Sequence, residues 1–312
     1  MIAPPPAAPA PIAPWILREG TLRFDATLEL GMSSGRAAKP IAIAPDLWVG
    51  VSPRLTLGLV HSRYATTGFR GSAGGGLCVT ATTGGCAKLY NNIGWEAWGA
   101  VLRGPLAFVA GGGLEAVNID RRFYDVKIGF KARYLAGRVS VTTTPSVFIA
   151  MTKRNEAMTP NTDVLYVPVG LGVKLADHVT VALGSGIKGP VSGFAKTWQI
   201  PAGISATYAT GPVVVGASWV FGALVASAAN PPAPAAATSG PDVRVVQAWI
   251  SYALGGASPS GHAAASPSRP RPASEPAAPL DLPHAATPSW IERDAPAEPS
   301  APARSRRHAP RK

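Results

Sequence analysis

Thr21–Met32 reads TLRFDATLELGM. Leu22, Phe24, Ala26, Leu28, Leu30 and Met32 take one face of an extended chain, and Thr21, Arg23, Asp25, Thr27, Glu29 and Gly31 take the other. Successive side chains of a strand point to opposite faces, so six unbroken alternations predict a strand with one dry and one wet side. A helix would scatter the same residues around its axis.

The period of two returns along the chain. Over 124–135 it sets Val126, Ile128, Phe130, Ala132 and Tyr134 against Asp125, Lys127, Gly129, Lys131 and Arg133. Over 164–175 the run Leu165, Val167, Val169, Leu171, Val173, Leu175 opposes Tyr166, Gly170, Gly172 and Lys174, and 244–254 sets Val246, Ala248, Ile250, Tyr252 and Leu254 against Gln247, Trp249 and Ser251. Further strands are expected over 41–52, 55–64, 91–102, 106–117, 138–151, 179–187, 198–209 and 213–224. The total is twelve, each about the 9–11 residues that cross a bilayer at a tilt. Tight turns such as Ser52-Pro53-Arg54, Arg103-Gly104-Pro105 and Thr210-Gly211-Pro212 alternate with longer segments, 65–90 the longest. Short turns at one end and long loops at the other predict an all-β, up-and-down antiparallel transmembrane β-barrel with both termini at the short-turn end.

Composition agrees. The 312 residues are 46% hydrophobic and only 15% charged, with 34 Gly and 32 Pro. Glu and Lys are too scarce for a helical bundle, and two cysteines exclude a disulfide-dense scaffold or a four-cysteine zinc site. Three regions follow: a Pro/Ala-rich linker over 1–20, the barrel over 21–254, and a basic Pro/Ala/Ser-rich tail over 255–312 that is expected to be disordered. The tail has eight basic and five acidic residues, and reads either as a solvated extension or as an electrostatic tether to an anionic envelope polymer. No nucleic-acid fold accompanies it. Residues 1–20 lack the basic start and unbroken apolar run of a signal peptide.

Alternation leaves open which face is outside. The polar face is mostly Gly, Ser, Thr and Asn, where a soluble surface carries more Lys and Glu. Phe24, Phe108, Tyr134, Tyr208 and Tyr252 gather near the tight turns, as an interfacial aromatic girdle does. Closure also removes exposed strand edges. With units such as LWVGVSPRLTLGLV (47–60) and VGLGVKLADHVTVALG (169–184), the chain resembles the small outer-membrane β-barrels of Gram-negative bacteria over about 21–254. The resemblance implies an outer-membrane location with periplasmic termini, and contacts with lipid, lipopolysaccharide and the barrel-insertion machinery. Such barrels usually end on an aromatic residue, whereas here WISYAL (249–254) is followed by 58 residues. One competing reading makes the uncharged run 213–229 a membrane helix.

The expected inward charges are balanced. Asp25, Glu29, Asp46, Glu96, Glu115 and Asp125 face Arg23, Lys127, Lys131, Arg133, Arg138 and Lys174. Isolated charges inside a narrow barrel are costly, so they pair or face water. One reading is a porin-like, water-filled pore for small polar solutes, with acidic and basic walls opposed and a basic cluster of Lys131, Arg133, Arg138 and Lys174 at the mouth. The other is a closed, salt-bridged interior that holds the shape of a structural or surface-binding protein. A lipid-modifying enzyme and a soluble secreted barrel stand further back. His61 and Ser62 are adjacent and therefore point to opposite faces, so they make no catalytic pair. The glycine runs lack the lysine spacing of a phosphate loop. No cofactor, metal or catalytic residue is expected. Cys78 and Cys86, eight positions apart in the longest loop, are expected to form a disulfide in an oxidising compartment.

Overall fold

The computed structural model describes residues 15–32, 39–64, 67, 69–71, 76–80, 90, 92–119, 121–156, 160–227 and 244–255. Twelve antiparallel strands close on themselves. They are β1 (Leu22–Gly31), β2 (Ile41–Ser52), β3 (Leu55–Val60), β4 (Ile93–Leu102), β5 (Leu106–Asn118) and β6 (Phe123–Ala136). Then come β7 in two pieces (Val139–Thr143 and Ser146–Ala150), β8 (Val164–Lys174), β9 (Val179–Pro190), β10 (Gln199–Thr210), β11 (Val213–Ala226) and β12 (Arg244–Leu254). Each pairs with its sequence neighbours, and the ring shuts where Leu22 of β1 meets Leu254 of β12. First and last strands therefore start and finish at the short-turn end.

Burial runs opposite to that of a soluble protein. Leu22 and Phe24 of β1 are exposed, while the alternate residues Arg23, Asp25 and Thr27 are buried. The same inversion holds at Trp95, Leu114, Ile128, Leu183, Ile204 and Ile250, which look out, and at Glu96, Glu115, Lys127, Ser205 and Ser251, which look in. An apolar exterior around a polar interior suits surroundings of hydrocarbon, because a closed ladder satisfies strand backbone groups without water. At the short-turn end Phe24 stands beside Tyr252 in register, and the Phe108 and Phe130 rings stack at 5.2 Å.

Two departures from the expected strands have local causes. β3 stops at Val60, not at residue 64, because Asp46 accepts the backbone N–H groups of His61 (2.7 Å) and Ser62 (2.9 Å) and draws the chain off the wall. Leu77–Cys78 then returns beside Ala42–Ile43 and completes the wall next to β2. β7 breaks at Thr144-Pro145, where proline has no N–H to give the ladder. The run 213–229 is a strand as far as Ala226, and among the described residues no helix is long and apolar enough to cross a membrane. The one helix among the described residues, α1 (Phe194–Thr197), is a single turn in the β9–β10 loop. Apart from Gly255, the tail 255–312 lies outside the described residues, as does 1–14 of the linker.

Candidate functional site: the barrel lumen

The lumen is built from the inward half of the alternation. On β2 to β6 that half is charged and aromatic. Lys127 on β6 reaches Glu96 on β4 at 2.5 Å and Glu115 on β5 at 3.6 Å, and the indole N–H of Trp98 donates to Glu96 at 2.6 Å. Lys131, two pleat repeats further along, lies 3.8 Å from the Trp98 ring centroid and 5.6 Å from that of Trp48. An ammonium over an indole face is held by the ring quadrupole. Arg23 pairs with Asp25 at 3.2 Å and lies over Trp48. Towards the long loops, Asn161 donates to Asp125 at 2.7 Å, and Gln247 donates to Glu29 at 3.1 Å while accepting from Ser218.

The opposite wall is mostly small and polar, with Ser140, Thr142, Gly170, Gly172, Gly184, Gly203, Ser205 and Ser218, and it carries Tyr166 and Lys188 towards the long loops. Between the walls lies part of the longest loop. Thr67 is fully buried, and Phe69 sits against Gly184 of β9, where a Cβ would stand 2.7 Å from the phenyl ring. The loop leaves the wall at β3 and β9 lies across the ring, so its described residues narrow the lumen from within.

The inward charges do not form opposing acidic and basic walls. β4, β5 and β6 are neighbours, so Lys127 settles on the carboxylates of Glu96 and Glu115 beside it. Asp25, Asp46, Glu96, Glu115, Asp125, Lys127 and Lys131 are all buried in the lumen. Of the expected mouth cluster, Lys131 and Arg133 lie beside tryptophans, Arg138 is exposed in the β6–β7 turn, and Lys174 pairs with Asp177 of its own turn at 3.0 Å. The Cys78 sulfur lies 3.3 Å from the Ile41 carbonyl, and Cys86 is outside the described residues. Among the described residues no group of three or more His, Cys, Asp or Glu side chains is placed to hold a metal.

Periodicity missed one part of the lumen. Trp15, Ile16 and Leu17, read as linker, turn back into the short-turn mouth. Leu17 is 3% exposed and packs with Trp48, Val60, Trp98 and Val109. A cavity of about 420 Å³ beside it is walled by Trp15, Ala107, Val109 and Arg133. The triplet WIL after a proline run was the available signal, because an apolar cluster that size seeks burial.

Comparison with solved structures places this architecture. The chain is similar to the NanC porin, with a TM-score of 0.50 and 8% identity over 74% of this chain and 100% of that one. It is also similar to the KdgM porin in complex with disordered oligogalacturonate (TM-score 0.44, 8% identity, 75% and 99% covered). A third is a loop-deletion mutant of OmpT, an outer membrane protein of Vibrio cholerae (TM-score 0.36, 12% identity, 75% and 98% covered). At these identities the likeness is one of fold. No protein-family model and no curated protein matches the sequence.

Proposed function

We propose that the chain is a non-enzymatic outer-membrane channel, porin-like and narrow, that passes small polar solutes by diffusion. The observation that carries this reading is the inverted barrel with two unlike inner walls. A ring of apolar side chains faces out, and a wall of glycine, serine and threonine faces a charged and aromatic wall across the lumen. Small polar walls leave room for hydrated solute, and fixed charges on one side set selectivity. Asp25, Glu29, Asp46, Glu96, Glu115, Lys127, Lys131 and Arg133 line the path in this reading. Arg138 and Lys174 stand at its short-turn edge. The termini are periplasmic, the exterior meets lipid and lipopolysaccharide, assembly uses the barrel-insertion machinery, and the basic tail tethers the barrel to an anionic envelope polymer. Single-channel recording in planar bilayers tests the proposal: refolded protein gives resolvable conductance steps, and their absence overturns it.

A second reading has a specific observation behind it. Asp25, Thr27 and Trp98 are at most 1% exposed, which fits a closed, salt-bridged lumen that holds the barrel while its loops bind at the cell surface. The same recording separates the two.

A further inference from the structure

We propose that Trp15–Gly20 is a displaceable plug that sets the width of the short-turn mouth, an inference that rests on the channel reading above. Three anchors seat it. The Leu17 side chain enters the cluster of inward residues formed by Trp48, Val60, Trp98 and Val109. The Leu17 N–H donates to the buried Thr56 hydroxyl at 2.8 Å. The Arg18 backbone lies directly against Gly50 of β2, an inward position where any Cβ would collide with the Arg18 carbonyl. Gly20 and Gly50 complete the seat with backbone bonds, Gly20 N–H to the Gly50 carbonyl and Gly50 N–H to the Thr21 carbonyl, both at 2.9 Å.

The segment is seated but is not a stave of the wall. It runs in no ladder register, whereas every barrel strand is bonded along both edges. Its apolar hold is one fully buried leucine and two half-buried neighbours, and the cavity of about 420 Å³ at its side gives it somewhere to move. Arg133 lies over the Trp15 ring at 5.7 Å, so part of the charged wall is covered while the plug is in place. The preceding fourteen residues are dominated by proline and alanine. Displacement of the plug exposes Thr56, Trp98 and Arg133 to the mouth together.

Gly50→Ala is the wedge. It leaves every lumen charge in place, suits a strand backbone, and removes the room that Arg18 occupies. In a full-length Cys78→Ser/Cys86→Ser background, Val109→Cys, a nearly isosteric change in the wall that Leu17 covers, reports the seat by its rate of maleimide labelling, with Arg138→Cys as the exposed reference. The expected result is labelling at 109 about tenfold or more slower than at 138, the protection of a locally closed site. Gly50→Ala then removes that protection and enlarges the conductance step, while heat-modifiable gel mobility shows the barrel intact. Should Gly50→Ala fail to fold, Thr56→Val, which removes the acceptor of the Leu17 N–H, takes its place with the same two readings. Labelling at 109 as fast as at 138 in the parent overturns the plug. So does a freed position 109 with unchanged conductance steps, in which case the channel reading stands. If neither chain conducts, the channel reading and the gate fall together, whatever the labelling.

Discussion

Lys127→Met should be among the most damaging single changes in the barrel. The ammonium sits 2.5 Å from Glu96 and 3.6 Å from Glu115, with both carboxylates and the lysine side chain no more than 6% exposed. The Trp98 and Phe148 rings lie 5.8 and 5.4 Å from the nitrogen. Removing the cation leaves two buried carboxylates with Lys131 as the nearest remaining positive charge. Breaking one side of a buried pair costs about 3–5 kcal/mol. Loss of the ring contacts adds about 0.5–1 kcal/mol. The sum corresponds to roughly a hundredfold or more in the unfolding equilibrium. Urea titration of protein refolded into lipid vesicles, followed by tryptophan emission, measures it. Lys127→Met/Glu96→Met should recover only part of the loss: it removes one buried carboxylate, but Glu115 still loses the lysine and the Trp98 N–H loses its acceptor. Glu115→Gln should cost less than Glu96→Gln, as the longer contact requires. A loss below about 1 kcal/mol for Lys127→Met, the range of a solvated surface pair, would refute the reasoning.

The exterior, the loops and the cysteines give further expectations. Ile204→Arg puts a charge at mid-height on the apolar outer face and should cost about 2–4 kcal/mol of folding free energy in vesicles, while Ser205→Arg beside it should not follow that depth dependence. In the β7–β8 loop the Asp163 carboxylate accepts from Arg154 and from the Ala150 N–H, and these bonds hold its carboxyl below the usual range. A depressed folded value means that the clasp is fully present above the ordinary aspartate value of about 3.9 and is lost as pH falls through the lower folded value. Protection of the Ala150 amide against hydrogen exchange should therefore fall only in strong acid, and Asp163→Asn should abolish that step. The expected Cys78–Cys86 bridge should add two hydrogens to the measured mass when the protein is reduced; an unchanged mass would remove it.

Strand positions were legible because alternation is a local property. β2 and β12 occupy 41–52 and 244–254 as read, and the apolar side faces out as the sparse charge of the polar side indicated. Long-range partners were not legible. The capture of His61 and Ser62 by Asp46 joins residues fifteen and sixteen apart, and no period announces it. Lys127 takes the inward face that alternation predicts, but its partners Glu96 and Glu115 are not legible, because alternation gives the side of a strand without giving which neighbours its tilt brings level. Proline and alanine dominated the reading of residues 1–20, so the three apolar residues that enter the lumen were counted as linker. Phe69 reaches across to Gly184 from a loop with no period at all.

Neighbouring residues of β10 test the inside-out arrangement most directly. Ile204 faces out and is 50% exposed, while Ser205 faces in and is buried. A nitroxide attached at each in turn, in vesicles and in the Cys78→Ser/Cys86→Ser background, reports its surroundings by collision with oxygen, which concentrates in lipid, or with a water-soluble nickel chelate. The label at 204 should meet oxygen and be shielded from nickel, and the label at 205 should show no such lipid signature. If the label at 205 takes the oxygen-rich value and the label at 204 does not, the barrel faces the other way and the account is wrong.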